Sequence, residues 1–286
     1  MEFIDYIRRC NRWNPADFLS FRVDGQAIGR VRPVFADHLK RFPDVFAVTE
    51  SVVDLASGLS TPDARTAALR EAVAALTADG VLPRPHGEQY AIVRRWGEAP
   101  AFLLDRRFVP VFGLKAFGIH VNGFVRNGDT LSLWIGRRAL DKSVEPGKLD
   151  NMIAGGLPVG ITPAENVIKE AAEEAGLVRE IAARACPVGA ITYCFEDALG
   201  LKPDTLFLYD LEMPVGLIPR NVDGEITEFV LMDVHAVAEA LRADMAPGFK
   251  FNVSLVLIDF LMRHGILTPE NQPDYLDLAI GLHTPL

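Results

Sequence analysis

Cysteine is scarce in this chain of 286 residues: only Cys10, Cys186 and Cys194 are present, an odd number without CxxC spacing. A disulfide framework and a zinc knuckle are therefore excluded as organising features, and a reducing, cytoplasmic setting is expected. Positive charge is also short, with 29 Lys and Arg against 38 Asp and Glu for a net −9. Gripping duplex nucleic acid by its phosphates needs a basic surface, so nucleic acid is not an expected partner. A local basic pocket for one small phosphate stays compatible with that balance. No window approaches the roughly 18 apolar residues of a membrane span. The nearest run, Val253 to Met262, is broken by Ser254 and Asp259, and no membrane partner is expected. The opening MEFIDYIRRCNRW carries Glu2 and Asp5 and lacks an apolar core, so it does not read as a signal peptide. Internal repeats and low-complexity tracts are lacking too.

What is present is an ordinary globular balance, 49% apolar and 23% charged. The length suggests two domains at roughly 150 residues each. We place the division near residue 115: a small α+β unit over 1–115 and a second unit over 116–286. In the first, Asp24-Gly25 between two apolar runs predicts a hairpin over Phe18–Val31. Thr61-Pro62 then opens a helix that Gly80 ends. Tyr90–Arg95 and Phe102–Leu104 read as strands, and His38 and His86 have no metal partner nearby in sequence. In the second unit, Gly118–Val125 and Thr130–Gly136 form a hairpin around Asn127-Gly128. A loop over Asp141–Leu149 leads to the glycine pair Gly155-Gly156. Strands are expected at Val188–Phe195, Leu206–Leu211 and Phe229–Met232, and helices at Val234–Arg242 and Asn252–His264. The order implies an α+β fold with a mixed sheet covered by helices.

The most informative stretch is AGGLPVGITPAENVIKEAAEEAGL, residues 154–177. Thr162 is a good N-cap, Pro163 suits N1, Glu165 completes a capping box and Gly176 supplies a left-handed C′ residue. Ala164, Val167, Ile168, Ala171, Ala172 and Ala175 fall on one apolar stripe. Glu170 and Glu174 lie four apart, with Glu173 three beyond Glu170. Each unscreened pair of like charges costs roughly 0.2–0.5 kcal/mol. Clustered carboxylates suit a hard divalent ion such as Mg²⁺ or Mn²⁺, which reverses that cost. An isolated ExxEE is more often a solvated acidic face; here a glycine-rich loop enters the helix, allowing a backbone carbonyl to approach the same ion.

This stretch resembles the Nudix box, G-x5-E-x7-R-E-U-x-E-E-x-G-U, where U is a bulky aliphatic residue. Gly155 falls on the first glycine, Glu170 on the glutamate after the arginine, Glu173 and Glu174 on the E-E pair, Gly176 on the last glycine and Leu177 on the final aliphatic position. Three positions depart: Lys169 replaces the arginine, Ala171 is small for U, and Ile161 stands where the first glutamate belongs. HVNGFV (120–125), LWIGRR (133–138), PGKLDNMIAGGLPVGI (146–161), DGEITEF (223–229) and FKFNVSLVLIDFLMRHG (249–265) resemble one branch of the Nudix hydrolases in particular. That branch carries an extra N-terminal domain, related to a region fused to thiamine pyrophosphokinase in some fungi.

The resemblance implies a Nudix α-β-α sandwich with a mixed sheet, preceded by a small α+β domain. It implies Mg²⁺- or Mn²⁺-dependent cleavage of a small organic diphosphate to a monophosphate and phosphate. Members of the branch are associated with thiamine diphosphate and its damaged oxy- and oxo-forms. Glu170 and Glu174 would be metal ligands, Glu173 a third ligand or a water-positioning group, and the Gly155 carbonyl a further ligand. Glu225 and Glu228 are candidate general bases in a later loop. Arg137, Arg138, Lys142 and Lys148 could meet the phosphates. Tyr193, Phe195 and Trp134 could stack on a ring, although strand alternation favours core packing for them. His120 is expected to be structural. A nucleoside or dinucleotide diphosphatase and a non-catalytic diphosphate sensor are the alternatives. An isopentenyl diphosphate isomerase needs a cysteine just before the glycine pair, where DNMIAGG has none. A homodimer is left open by the sequence.

Overall fold

Asp24 and Gly25 both take positive φ, 50° and 74°. They close a two-residue turn between β1 (Leu19–Val23) and β2 (Gln26–Val31), as the Asp-Gly pair predicts. The computed structural model describes residues 1–142 and 144–284. Ahead of the hairpin lies α1 (Phe3–Cys10). After it come α2 (Pro33–Leu39), β3 (Phe46–Val48), β4 (Val52–Leu55) and α3 (Pro62–Ala78). The sheet order is β2-β1-β4-β3. Thr61 caps α3 by accepting the Ala64 N–H at 3.2 Å. A separate hairpin, β5 (Gln89–Ile92) and β6 (Phe102–Asp105), follows.

The second unit is built on β7 (Ala116–Asn127), β8 (Thr130–Arg138), β9 (Leu149–Asn151) and β10 (Ile153–Gly156). Asn127 pairs with Thr130, so the turn consists of Gly128 and Asp129, one residue later than expected. Then come α4 (Pro163–Ala175), α5 (Arg179–Ala182), β11 (Cys186–Glu196), β12 (Leu201–Glu212), β13 (Ile226–Asp233), α6 (Val234–Ala243), α7 (Phe251–Arg263) and α8 (Tyr275–Gly281). The seven-stranded mixed sheet runs β11-β12-β7-β8-β13, with β10 on β7 and β9 on β8. The β7–β12 pair is parallel, and the other pairs are antiparallel.

Residues 119 and 121 of β7 pack with Val167, Ala171 and Ala175 of α4. Phe124, at the other end of β7, packs with Phe260 of α7. Helices thus cover both faces, which makes this an α+β sandwich with a mixed sheet. Phe3, Tyr6, Ile7 and Cys10 of α1 belong to the same core as α7 and α8, so the first helix packs on the second unit. The Gly155-Gly156 pair, expected in a loop, sits on β10, paired with β7 and beside α4. Without side chains it lets neighbours close in on both faces.

Candidate active site

The capping of α4 is as the local sequence dictates. Thr162 Oγ1 accepts the Glu165 N–H, and Glu165 accepts the Thr162 N–H at 3.0 Å. Gly176 ends the helix at φ 62°. The buried face is turned from the expected stripe: Ala164 and Ala172 are exposed, whereas Asn166, Val167, Ala171, Glu174 and Ala175 are buried. Contact with β10 decides this. Asn166 donates to the Gly156 carbonyl at 2.8 Å, and the Ala154 N–H donates to Glu174 Oε2 at 2.8 Å.

Glu174 is therefore an interior carboxylate. Burial pushes its carboxyl well above the ordinary value, and the Ala154 N–H opposes this. Glu170 lies above Gly155, where a Cβ would come 2.5 Å from Glu170 Cδ. Burial raises Glu170 as well, against the pull of Lys169. Lys169 lies at the arginine position and spans Glu170 at 3.2 Å and Glu173 at 2.7 Å. Glu173 is exposed and turned to that lysine, so the three glutamates do not converge. Among the described residues no group of three His, Cys, Asp or Glu stands ready around one point. Glu170 and Glu174 share one pair of elements, are short of compensating charge, and carry only oxygen donors. This set fits a hard divalent cation. The Gly155 carbonyl lies 3.0 Å from where a Cβ on Gly118 would stand, and the missing side chain of Gly155 clears room for Glu170.

The four cations expected at the phosphates are mostly spent elsewhere. Arg138 is buried, donating to Asp150 at 2.7 Å and to the carbonyls of Val144 and Glu145, which makes it a structural strut. Arg137 pairs with the exposed Glu228 at 2.5 Å. Lys142 pairs with Glu225. Lys148 forms no ion pair among the described residues. Of the two carboxylates expected in a loop, Glu225 precedes β13 and raises the Glu174 carboxyl through its charge, whereas Glu228 lies on β13 itself and faces solvent.

The aromatic candidates are packed. Trp134 lies in the core under α4. Tyr193 is fully buried, donating to Asp204 at 3.1 Å and accepting from Asn252 at 3.1 Å. Phe195 packs on Phe251.

Sequence reasoning missed two features. The first is a buried polar chain behind β10. The Asp210 carboxyl is opposed by burial yet held below its ordinary value by His264, Arg263 and Asn122. As an acceptor only, it fixes Asn122 as donor at 3.0 Å, so Asn122 Oδ1 accepts from Asn151 at 2.8 Å. Asn151 Oδ1 must then accept from His120 Nδ1 at 2.7 Å, which sets the imidazole tautomer. The second is the approach of the N-terminal unit: Gln89 accepts the Val159 N–H at 2.9 Å, and a Cβ at Gly156 would overlap the Tyr90 hydroxyl. Neither leaves a local signature, because each joins residues dozens of positions apart.

Comparison with known proteins identifies the family. The family described as NUDIX domain matches residues 116–251, and the one described as domain of unknown function (DUF4743) matches residues 2–116. The chain is 40% identical to Nudix hydrolase 20, chloroplastic, of Arabidopsis thaliana, covering 96% of this chain and 76% of that protein. It is also 40% identical to Nudix hydrolase 24, chloroplastic, of the same plant, with the same coverage. The crystal structure of DR0079 from Deinococcus radiodurans aligns over 60% of this chain and 98% of its own, at 21% identity and a TM-score of 0.44, too distant to add to this. Nudix hydrolases generally use divalent metals such as Mg²⁺ or Mn²⁺ and act on small diphosphates. The paired carboxylates on α4 and the extra N-terminal unit thus have one explanation: the chain belongs to the Nudix hydrolase family and is a Nudix-type pyrophosphohydrolase.

Proposed function

We propose that this hydrolase cleaves the diphosphate of a small organic substrate in a Mg²⁺- or Mn²⁺-dependent reaction, with thiamine diphosphate and its oxidised forms as the first substrates to test. The observation that carries the metal dependence is the pair Glu170 and Glu174, two desolvated carboxylates on one helix, the first in contact with Lys169 and the second with one backbone N–H. The thiamine assignment rests on the resemblance of the chain to the branch with the extra domain. We assign residues 116–286 to the hydrolase and 1–115 to the accessory unit, and regard the chain as cytoplasmic.

Glu170 and Glu174 are the proposed ligands, joined by Glu173 once it leaves Lys169. A bound cation supplies charge neutralisation and Lewis acidity at the phosphoryl oxygens. Water attacks the terminal phosphorus, the bridging P–O bond breaks, and the products are a monophosphate and phosphate. Glu225 is our first choice of base for the proton that the water loses, because it is half-buried, whereas Glu228 is exposed and held outward by Arg137. Lys142, its present partner, is freed by that proton transfer to meet the departing phosphate.

A phosphate-release screen with Mg²⁺ tests this across thiamine diphosphate, its oxo- and oxy-forms, nucleoside diphosphates, dinucleotides and nucleotide sugars. Preference for the thiamine compounds supports the full reading. Preference for nucleotides keeps the hydrolase and removes thiamine. Metal-dependent binding without release from any compound would favour a sensor, a reading that Lys169 at the arginine position motivates.

A further inference from the structure

Of the cations just before the box, Arg138 is buried against Asp150, and Arg137 and Lys142 are held by Glu228 and Glu225, which leaves Lys148 without an ion pair among the described residues. An arginine from the other unit stands beside the site. Arg106 follows β6, and its N–H bonds to the Glu88 carbonyl at 2.9 Å. Its Nη1 donates to Glu88 at 2.6 Å, and its guanidinium lies 5.8 Å from the Tyr90 ring centroid. Nε and Nη2 have no hydrogen-bond partner among the described residues. Tyr90 is buried, and its hydroxyl abuts Gly156, one residue from the glycine that Glu170 covers. Successive residues of a strand face opposite sides, so Tyr90 and Glu170 bracket β10 from its two faces. The Tyr90 hydroxyl at Gly156 and the Arg106 guanidinium over the Tyr90 ring set this pair at the Gly156 end of β10, and the Glu170 charge acts on both. Burial pushes the Tyr90 hydroxyl up to about 12, so it stays a neutral donor.

We propose that the N-terminal unit completes the catalytic site, with Arg106 binding a substrate phosphate through its two free guanidinium nitrogens and Tyr90 acting as the positioning residue that holds it at the glycine pair. A planar fork with open donors suits a phosphate, and Arg106 is half-exposed, so a ligand can reach it. The inference rests on the diphosphatase reading for the identity of the ligand, and it gives the accessory unit a function: it supplies a guanidinium that Glu88 holds through Nη1 alone.

The test is calorimetric binding of methylenediphosphonate in Mg²⁺ to the full chain, comparing wild type with Arg106→Ala and Arg106→Lys, with melting curves to show that each is folded. The expected result is binding at least tenfold weaker in Arg106→Ala and intermediate in Arg106→Lys, with Mn²⁺ affinity unchanged. For any substrate turned over, KM rises while kcat changes little. Affinity of Arg106→Ala within twofold of wild type, or failure of wild type to bind the probe, would overturn the inference. Phosphate release by wild type is read separately. Release with unchanged probe affinity removes Arg106 alone, whereas weakened probe binding without release removes the hydrolase reading and keeps Arg106 as a phosphate site.

Discussion

The Glu174 carboxylate and the Ala154 backbone are joined by a 2.8 Å hydrogen bond, the N–H donating to Oε2. A glutamine amide can accept the same bond without the buried charge. Because the folded state holds the Glu174 proton more tightly than the unfolded chain does, stability is lost as pH rises above the unfolded carboxylate range. Metal-free Glu174→Gln should therefore melt above wild type at pH 8, with the difference shrinking toward pH 4. Calorimetric melting at the two pH values checks this, and a lower melting point at pH 8 would count against it.

Lys169 occupies the space between Glu170 and Glu173. Its side chain is 40% exposed and that of Glu173 49%, so the pair adds no more than about 0.5 kcal/mol to stability. Its charge nevertheless competes with a cation for Glu170. In Lys169→Ala, Mn²⁺ affinity measured by electron paramagnetic resonance should rise several-fold while the melting point barely moves. Weaker binding would show that the lysine organises the carboxylates instead of competing for them.

Arg137 and Arg138 are sequence neighbours with opposite fates. The Arg138–Asp150 pair is buried, and removing one partner of such a pair costs about 3–5 kcal/mol. The Arg137–Glu228 pair reaches solvent, where a bridge is worth about 0–1 kcal/mol. Denaturant unfolding of Arg138→Met and Arg137→Met should separate by about 3 kcal/mol or more, and equal losses would contradict this division.

The elements written locally were legible. Thr162, Glu165 and Gly176 specify α4 by themselves, and Asp24-Gly25 specifies the β1–β2 turn. The register of the glutamates followed, because spacing along a helix is fixed. What α4 faces did not follow: alanine periodicity suggested a stripe that included Ala164 and Ala172, but β10 draws in Asn166 and Glu174 through backbone hydrogen bonds that a hydrophobic pattern does not record. Charge type alone nominated Arg138 for the phosphates, yet strand alternation turns it inward to Asp150. The approach of Tyr90 to Gly156 joins residues from two units, and no periodicity carries that information.

His120 is 3% exposed, and burial, then the charge of Lys250, lowers its imidazole to about 4 from 6.5. The unfolded chain takes up a proton at this position below about pH 6.5, and the folded one does not until about pH 4. Stability therefore falls on acidification through that window, by about 3 kcal/mol for the whole gap. His120→Asn, whose amide nitrogen takes the place of Nδ1 and can still donate to Asn151, should show a flatter profile of unfolding free energy between pH 7 and pH 4. Parallel profiles would contradict the assignment.

The most direct test of the central claim is the position of manganese, located by anomalous diffraction in crystals grown with Mn²⁺ and methylenediphosphonate. The account predicts a peak bound by both Glu170 and Glu174 and bridging them to the diphosphonate. A peak elsewhere, or none beside these two carboxylates, would contradict it.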